Sequence, residues 1–154
     1  MTDKVLEEIT VGLSDAEKDD LEEIINLGIK LKKKSKNGES IDLLKGKTLG
    51  ILGFGRIGQA TAKVGLGVGM KVIAYDPFID AANVQLDFFD GQQVNFTIDT
   101  ISKEALLEQA DFISLHVPAQ DGYVISTKEF NIMKEGVAIV NAARGGVIDE
   151  VALV

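Results

Sequence analysis

Residues 48–58 read TLGILGFGRIG, an apolar run that leads directly into a G-x-G-x-x-G motif made by Gly53, Gly55 and Gly58. The run has the composition of a buried strand, and the motif is followed by a helix-forming segment rich in small residues. Asp76 stands at the end of the next apolar run, 18 positions after Gly58. This order of strand, glycine loop, helix and acidic residue is what a dinucleotide-binding fingerprint requires.

Each residue of this motif has a physical role in binding a dinucleotide. Gly53 permits the tight turn from strand to helix, Gly55 lets a diphosphate approach the backbone, and Gly58 allows the helix to pack closely on the strand. Asp76 would accept hydrogen bonds from the adenine ribose and repel an added 2′-phosphate, which favours NAD over NADP. The alternative is a plain glycine turn with a solvated aspartate. For Arg56, a diphosphate contact and a solvated helix position remain equally open on the residues alone.

From residue 46 onward the sequence alternates β-forming and helix-forming segments. We predict strands at 48–52, 71–75, 112–117 and 137–141, helices at 57–68, from Ser102 to 109 and from Ser126 to 133, and the start of another helix at Asp149. Strands that alternate with helices at this spacing imply a parallel sheet with helices on both faces. The sequence therefore predicts an α/β fold with a Rossmann-type doubly wound sheet.

Residues 84–98 interrupt this alternation. Apolar residues occupy every second position on both sides of Asp90-Gly91, and such a dipeptide between two alternating runs is a strong β-hairpin signal. We predict an inserted hairpin here, and whether its second arm joins the main sheet is left open.

Residues 1–45 are interpreted as an N-terminal helical segment that precedes an NAD-binding domain at 46–154. Ser14-Asp15-Ala16-Glu17 is a capping-box pattern, and apolar residues recur at helical spacing from Leu21 to Leu31. Asn37-Gly38 is the signal at which we predict that this helix ends. The lysines at 32–34 and 36 lie at the end of this predicted helix, where cations complement the helix dipole. An anion-binding patch is the alternative interpretation of these lysines.

The composition argues against several classes of function. The chain has 154 residues and a formal net charge of −8, which disfavours nucleic acid and anionic lipid as partners. Its apolar runs fall short of the ~18 residues that a membrane span needs. Without cysteine there is no disulfide framework and no thiolate metal site, and we predict no metal site. The first residues carry no export signal, so we expect a cytoplasmic protein.

Three stretches of the chain, in the right order, resemble motifs of one enzyme family. They are GKTLGILGFGRIG at 46–58, DFISLHVP at 111–118 and NAARGGVIDE at 141–150. Together they resemble the NAD-dependent D-2-hydroxyacid dehydrogenases, and within that family the sequence is most similar to the bacterial members that oxidise D-3-phosphoglycerate. The resemblance implies NAD as the cofactor, a small 2-hydroxy or 2-keto acid as the substrate of a complete enzyme, and a homodimer.

The resemblance also assigns roles to individual residues, beyond those of the glycine motif. It implies that Arg56 and Ile57 lie at the diphosphate and that Arg144 is the catalytic-site arginine. It further implies that the dinucleotide cleft and its nicotinamide side are lined by His116, Val117, Pro118, Ala142 and Ala143.

The chemistry of a 2-hydroxy acid suits the role implied for Arg144. A guanidinium can bind the planar carboxylate through two parallel hydrogen bonds and polarise the developing carbonyl oxygen. On the residues alone, a surface or ion-pair arginine is the competing interpretation. His116 is the only histidine, and on physical grounds a hydrogen-bonded residue at a strand end is favoured over a proton acceptor.

Relative to the family, the predicted Rossmann domain is truncated at both ends. From the resemblance we expect that the family's N-terminal substrate-binding domain is not part of this chain, and that the catalytic glutamate and histidine lie beyond Val154. Because hydride transfer from an alcohol needs a group that takes the hydroxyl proton, we expect this chain to be inactive alone. The alternatives are a stand-alone dinucleotide-binding or sensing module and a dimerisation module without redox turnover.

Overall fold

A computed structural model describes residues 44–118 and 121–153 of the chain. The capping box predicted at Ser14 and the helix predicted to end near Asn37 lie outside the described residues. The proposed boundary between a helical segment at 1–45 and a domain at 46–154 therefore stays a prediction.

Four parallel strands form the main sheet, in the order β2-β1-β5-β6. The helices and strands in chain order are β1 (Thr48–Leu52), α1 (Arg56–Gly67), β2 (Lys71–Tyr75), β3 (Ala81–Asp87), β4 (Gln93–Asp99), α2 (Lys103–Gln109), β5 (Phe112–Leu115), α3 (Thr127–Phe130) and β6 (Ala138–Asn141). After β2 the chain crosses β1 and adds β5 on its other side, so the direction of winding reverses between β1 and β5. Ligands of open α/β sheets bind at such a point.

Small residues bring the two longer helices close to opposite faces of β1. A Cβ atom at Gly65 of α1 would lie 2.8 Å from Leu49, and one at Gly50 would lie 2.6 Å from Leu106 of α2. Side chains of successive strand residues point to opposite faces, so α1 and α2 cover different sides of the sheet. Ile51, on the same face as Leu49, is fully buried beneath α1. The predicted Rossmann-type doubly wound fold is confirmed.

The predicted hairpin is also confirmed, with arms slightly longer than expected. β3 and β4 pair antiparallel, with Val84 opposite Phe96, and form a two-stranded sheet of their own. Val84 is 1% exposed because β3 packs against α1. The second arm does not join the main sheet as a strand. One residue beyond it, Thr100 forms a single parallel bridge to Ala74 of β2, and Ser102 then caps α2 by accepting a hydrogen bond from Ala105 N–H.

Two elements end earlier than predicted. The helix expected from Ser126 to Met133 is a single turn that stops at Phe130, after which Met133 N–H donates to the carbonyl of Phe130, the tighter i→i−3 pattern of a fraying end. The strand expected to reach Val117 ends at Leu115, because β1 beside it turns away into the glycine loop. Among the described residues, no helix is long and apolar enough to cross a membrane.

Candidate functional site

The carboxyl ends of the parallel strands bring the predicted site residues to one edge of the sheet. The loop after β1 carries the glycine motif, and Asp76 follows β2 directly. The remaining candidates follow the carboxyl ends of β5 and β6 at the same edge: His116, Val117, Pro118, Ala142, Ala143 and Arg144. β6 is two strands away from β1, or about 10 Å, so Arg144 lies to one side of the glycine loop.

Two glycines of the motif are required by the packing of the backbone itself. Gly53 has a φ of +95°, which L side chains rarely adopt, and a Cβ atom there would lie 2.6 Å from the carbonyl oxygen of His116. A Cβ atom at Gly58 would collide with the carbonyl oxygen of Gly53. The first turn of α1, the loop and the end of β5 are therefore stacked without room for a methyl group.

Gly55 is different, because the fold does not require a glycine there. It is exposed, its φ of −69° suits any residue, and a Cβ atom would meet nothing within 4 Å. Gly55 is the N-cap of α1, whose first turn contains no acidic residue. The N–H groups of a first helical turn have no intrahelical acceptor, so the open space in front of Gly55 suits an anion.

The carboxylate of Asp76 is fixed beside this loop by two backbone donors. Phe54 N–H donates to its Oδ2 at 2.7 Å, and Phe78 N–H donates to its Oδ1 at 2.9 Å. Each carboxylate oxygen keeps further acceptor capacity, and the residue is half-buried. The side chain of Gln59 donates to the carbonyl of Phe54 at 2.9 Å, so both ends of this loop residue are hydrogen-bonded. Sequence reasoning missed Gln59.

The imidazole of His116 forms hydrogen bonds within the fold. Its Nε2 lies 2.8 Å from Ser114 Oγ and 3.1 Å from Thr61 Oγ1, while Nδ1 is buried without a hydrogen-bond partner among the described residues. Burial lowers the pKa of His116 to about 4, so the ring is neutral near pH 7. The expected hydrogen-bonded residue at a strand end is confirmed, and its place in the cofactor cleft stays a prediction.

The turn that carries Arg144 is held at both ends. Asn141 accepts a hydrogen bond from Ala143 N–H at 3.0 Å and donates one to the carbonyl of Arg144 at 3.1 Å. Further on, the buried Val147 accepts from Val124 N–H at 2.8 Å. Arg144 is exposed and forms no salt bridge with the carboxylates of residues 44–118 and 121–153, which weakens the ion-pair interpretation.

Metal ligation finds no support in this region. Within the described parts of the chain, no three histidine, cysteine, aspartate or glutamate side chains are grouped so that they could hold a metal ion. The features that could bind a ligand are thus the open helix N-terminus, the anchored carboxylate of Asp76 and the exposed guanidinium of Arg144.

In a comparison with known protein families, residues 21–154 match the family described as D-isomer specific 2-hydroxyacid dehydrogenase, NAD binding domain. The chain is 45% identical over 126 residues to hydroxypyruvate reductase of Thermotoga maritima, covering 80% of the chain and 36% of that protein. It is 43% identical over 112 residues to D-3-phosphoglycerate dehydrogenase 3, chloroplastic, of Arabidopsis thaliana, covering 71% of the chain and 18% of that protein.

Among solved structures, the NAD+-bound 3-phosphoglycerate dehydrogenase of Entamoeba histolytica is similar, with a TM-score of 0.61 and 32% identity. The match covers 83% of this chain and 39% of that one. The chain thus spans about a third or less of the length of the two curated relatives.

Proposed function

Since this chain belongs to the family of the D-isomer specific 2-hydroxyacid dehydrogenases, we propose that its glycine loop binds the diphosphate of NAD and that Asp76 binds the adenine ribose. In a complete enzyme, the bound dinucleotide would supply the hydride acceptor for oxidation of a D-2-hydroxy acid and, in its reduced form, the hydride donor for the reverse reaction. The residues of this chain bind and orient the dinucleotide, and Arg144 orients the acid.

One observation carries the proposal for the loop: neither the φ angle nor any close contact requires a glycine at position 55. Its backbone conformation and surroundings would accept a side chain, whereas Gly53 and Gly58 are constrained by neighbouring backbone. A bound diphosphate supplies the missing reason, because it must approach the backbone N–H groups at the start of α1. The four residues Gly53, Gly55, Arg56 and Ile57 would form the contact surface, with Gly58 behind them.

Asp76 supports NAD as the preferred dinucleotide over NADP. Its carboxylate is already anchored 2.7 Å from the N–H of Phe54, which fixes its negative charge at the loop. The free acceptor capacity of both oxygens suits two ribose hydroxyls, and a 2′-phosphate at the same place would be repelled.

For the substrate we propose a small 2-hydroxy acid, with D-3-phosphoglycerate as the specific candidate. The two curated relatives are named for hydroxypyruvate and for D-3-phosphoglycerate, which share a carboxylate next to the reacting carbon. Arg144 is exposed at the carboxyl edge of the sheet and can bind such a carboxylate with two hydrogen bonds. Ala142 and Ala143 precede it on the nicotinamide side, and His116, Val117 and Pro118 complete the cleft.

We also propose that the chain forms a homodimer, as its family resemblance implies. Light scattering that gave a mass of twice 16.5 kDa would support this proposal, and the mass of a single chain at micromolar concentration would contradict it.

The proposed function is tested by replacing Gly55 with alanine. The added methyl group meets no protein atom, so Gly55→Ala should lower the melting temperature by only a few degrees, because alanine is a poorer N-cap than glycine. We expect it to weaken NADH binding at least about tenfold, a loss of ~1.4 kcal/mol, because the methyl group occupies the path of the diphosphate. Fluorescence titration with NADH measures the effect.

Gly67→Ala is the matched control. Gly67 is the last residue of α1, and a Cβ atom there also meets nothing within 4 Å. Gly67→Ala should leave NADH affinity unchanged and raise the melting temperature slightly, because alanine is favoured over glycine in a helix. Equal NADH affinity of Gly55→Ala and the parent protein would refute the proposed diphosphate site.

A further inference from the structure

His116 contacts the glycine loop through its backbone. Its N–H donates to the carbonyl of Leu52 at 2.7 Å, which extends the pairing of β5 with β1 by one residue. Its carbonyl oxygen faces Gly53 so closely that a Cβ atom on that glycine would lie 2.6 Å away. The start of the glycine loop therefore rests on the backbone of His116.

The side chain of His116 reaches the helix that the same loop opens. Its Nε2 is shared between Ser114 of β5, at 2.8 Å, and Thr61 of α1, at 3.1 Å. Both hydroxyl residues are deeply buried, with 2% and 3% exposure respectively. Such buried polar groups need partners, and the imidazole provides one for both.

These contacts form a closed circuit around the start of α1. Gly58 of α1 packs closely against the carbonyl group of Gly53, and Gly53 packs closely against the carbonyl group of His116. The imidazole of His116 in turn contacts Thr61 of α1. We propose that His116 is a positioning residue of the dinucleotide site. It fixes the position of the first turns of α1 relative to the end of β5, and so aligns the helix N–H groups with the diphosphate. This inference rests on the proposed function of the loop.

The unpartnered Nδ1 argues against a role in stability alone. A buried nitrogen without a hydrogen bond costs free energy, and Nδ1 is buried without a partner among the described residues. An apolar side chain with apolar neighbours at Ser114 and Thr61 would fill the same space without that cost. The imidazole instead supplies a directional contact between strand and helix, which an apolar contact lacks.

The test separates binding from stability with a set of variants in the full chain. His116→Leu and Thr61→Val each break the contact between β5 and α1, and we expect each to weaken NADH binding about tenfold, since a single buried hydrogen bond is of this size. The double variant should bind no more weakly than His116→Leu, because both changes remove the same contact. His116→Gln, which returns an amide near the position of Nε2, should recover affinity to within about threefold.

The triple variant His116→Leu, Thr61→Val, Ser114→Ala removes every polar partner at once. We expect it to keep the melting temperature of the parent protein within a few degrees, since removing both partners of a hydrogen bond is nearly neutral, yet to bind NADH as weakly as His116→Leu. Parent-like NADH affinity in this variant, or additive losses in the double variant, would overturn the proposal.

The same variants distinguish this inference from the proposed function itself. If the parent protein failed to bind NADH, the proposed function would be wrong, and amide hydrogen exchange without nucleotide would then decide the role of His116. We expect faster exchange at the hydrogen-bonded N–H groups of Gly53, Phe54 and Gln59 in Thr61→Val and His116→Leu than in the parent protein, with β2 unaffected. Unchanged exchange at the loop would overturn the positioning role independently of NADH.

Discussion

The carboxylate of Asp76 has two tasks that a single substitution can separate. It accepts the N–H of Phe54, which shapes the loop, and it carries the charge that we propose discriminates against NADP. Asp76→Asn keeps an acceptor oxygen and removes the charge. We expect NADH affinity to fall about three- to tenfold, from the lost charge-assisted hydrogen bonds, and the preference for NADH over NADPH to narrow.

Parallel fluorescence titrations with NADH and NADPH measure both effects. Asp80→Asn is the control, because Asp80 is an exposed carboxylate four residues further along. A preference for NADH that stayed as large in Asp76→Asn would refute the role of the charge.

His116 makes the folded chain sensitive to mild acid. Burial lowers its pKa from 6.5 to about 4, so between these values the unfolded chain binds a proton that the folded chain excludes. Linkage then requires the free energy of unfolding to fall as the pH is lowered from about 6.5 towards 4. Above that range His116 adds no pH dependence to the free energy of unfolding, because it is neutral in both states. Urea denaturation across the range should show a shallower pH dependence in His116→Gln, whose side chain does not titrate. An NMR titration of the single imidazole that gave an ordinary pKa would contradict the expectation.

At the scale of residues, sequence reasoning identified the residues that are recognised by their spacing along the chain. The glycine motif and Asp76 follow from spacing along the chain, and the structure indeed brings them into hydrogen-bond contact. The partnership of His116 with Thr61 could not be predicted, because 55 positions separate the two residues and their contact depends on how α1 packs on the sheet. Gln59 was missed because a glutamine in a first helical turn has no distinguishing pattern.

At the scale of elements, Glu129 joins α3 to α2. It accepts hydrogen bonds from Ser126 N–H at 3.0 Å and from Lys103 Nζ at 3.0 Å. Burial alone would raise the pKa of Glu129, but the hydrogen bonds from Lys103 and Ser126 outweigh it and lower the pKa to about 2. We therefore expect Glu129→Ala to lower the free energy of unfolding by about 1–2 kcal/mol, through the lost cap and the partly buried ion pair.

Urea denaturation at pH 7 measures this loss, with Glu108→Ala on the exposed surface of α2 as the control, expected within about 0.5 kcal/mol of the parent protein. Because the pKa is depressed, the stabilisation by Glu129 is present above about pH 4.5 and is lost as the pH falls towards 2. A Glu129→Ala variant as stable as the control would show that the single-turn helix needs no cap.

Element boundaries illustrate what a sequence pattern leaves undetermined. Ser102, Ser126 and the Asp90-Gly91 turn located the starts of two helices and the hairpin, because these signals are made by neighbouring residues. The independence of the hairpin from the main sheet was left open, since the same alternation of side chains serves either pairing. In the structure the chain makes only a single bridge to β2, at Thr100, before Ser102 opens α2.

At the scale of the whole molecule, we propose that this chain by itself does not complete hydride transfer from a substrate. The only imidazole is neutral and bound to Ser114 and Thr61, so it is poorly placed to take the proton of a substrate hydroxyl. We expect no ordinary turnover when the 154-residue chain is assayed with NAD and D-3-phosphoglycerate, followed as NADH absorbance, although NADH itself binds. Turnover at a rate typical of dehydrogenases would contradict both this expectation and the proposed roles of the residues.

The order of strands was accessible to sequence reasoning only in part. Alternating strands and helices predicted a parallel, doubly wound sheet, because a crossover helix is the usual connection between parallel neighbours. That the chain returns across β1 to place β5 on its far side depends on the packing of Leu106 against Gly50, a contact between distant segments. This reversal is what brings His116 next to the glycine loop.

The hairpin of β3 and β4 starts and finishes at almost the same point. Thr100 N–H donates to the carbonyl of Asp80 at 2.8 Å, and the Thr100 hydroxyl donates to the carbonyl of Ile79 at 2.8 Å. Because these hydrogen bonds hold the two ends of the hairpin together, we expect that changes in the length or sequence of its tip do not shift the main sheet. Substitutions at the exposed Phe88 and Phe89 can therefore accumulate without moving Asp76.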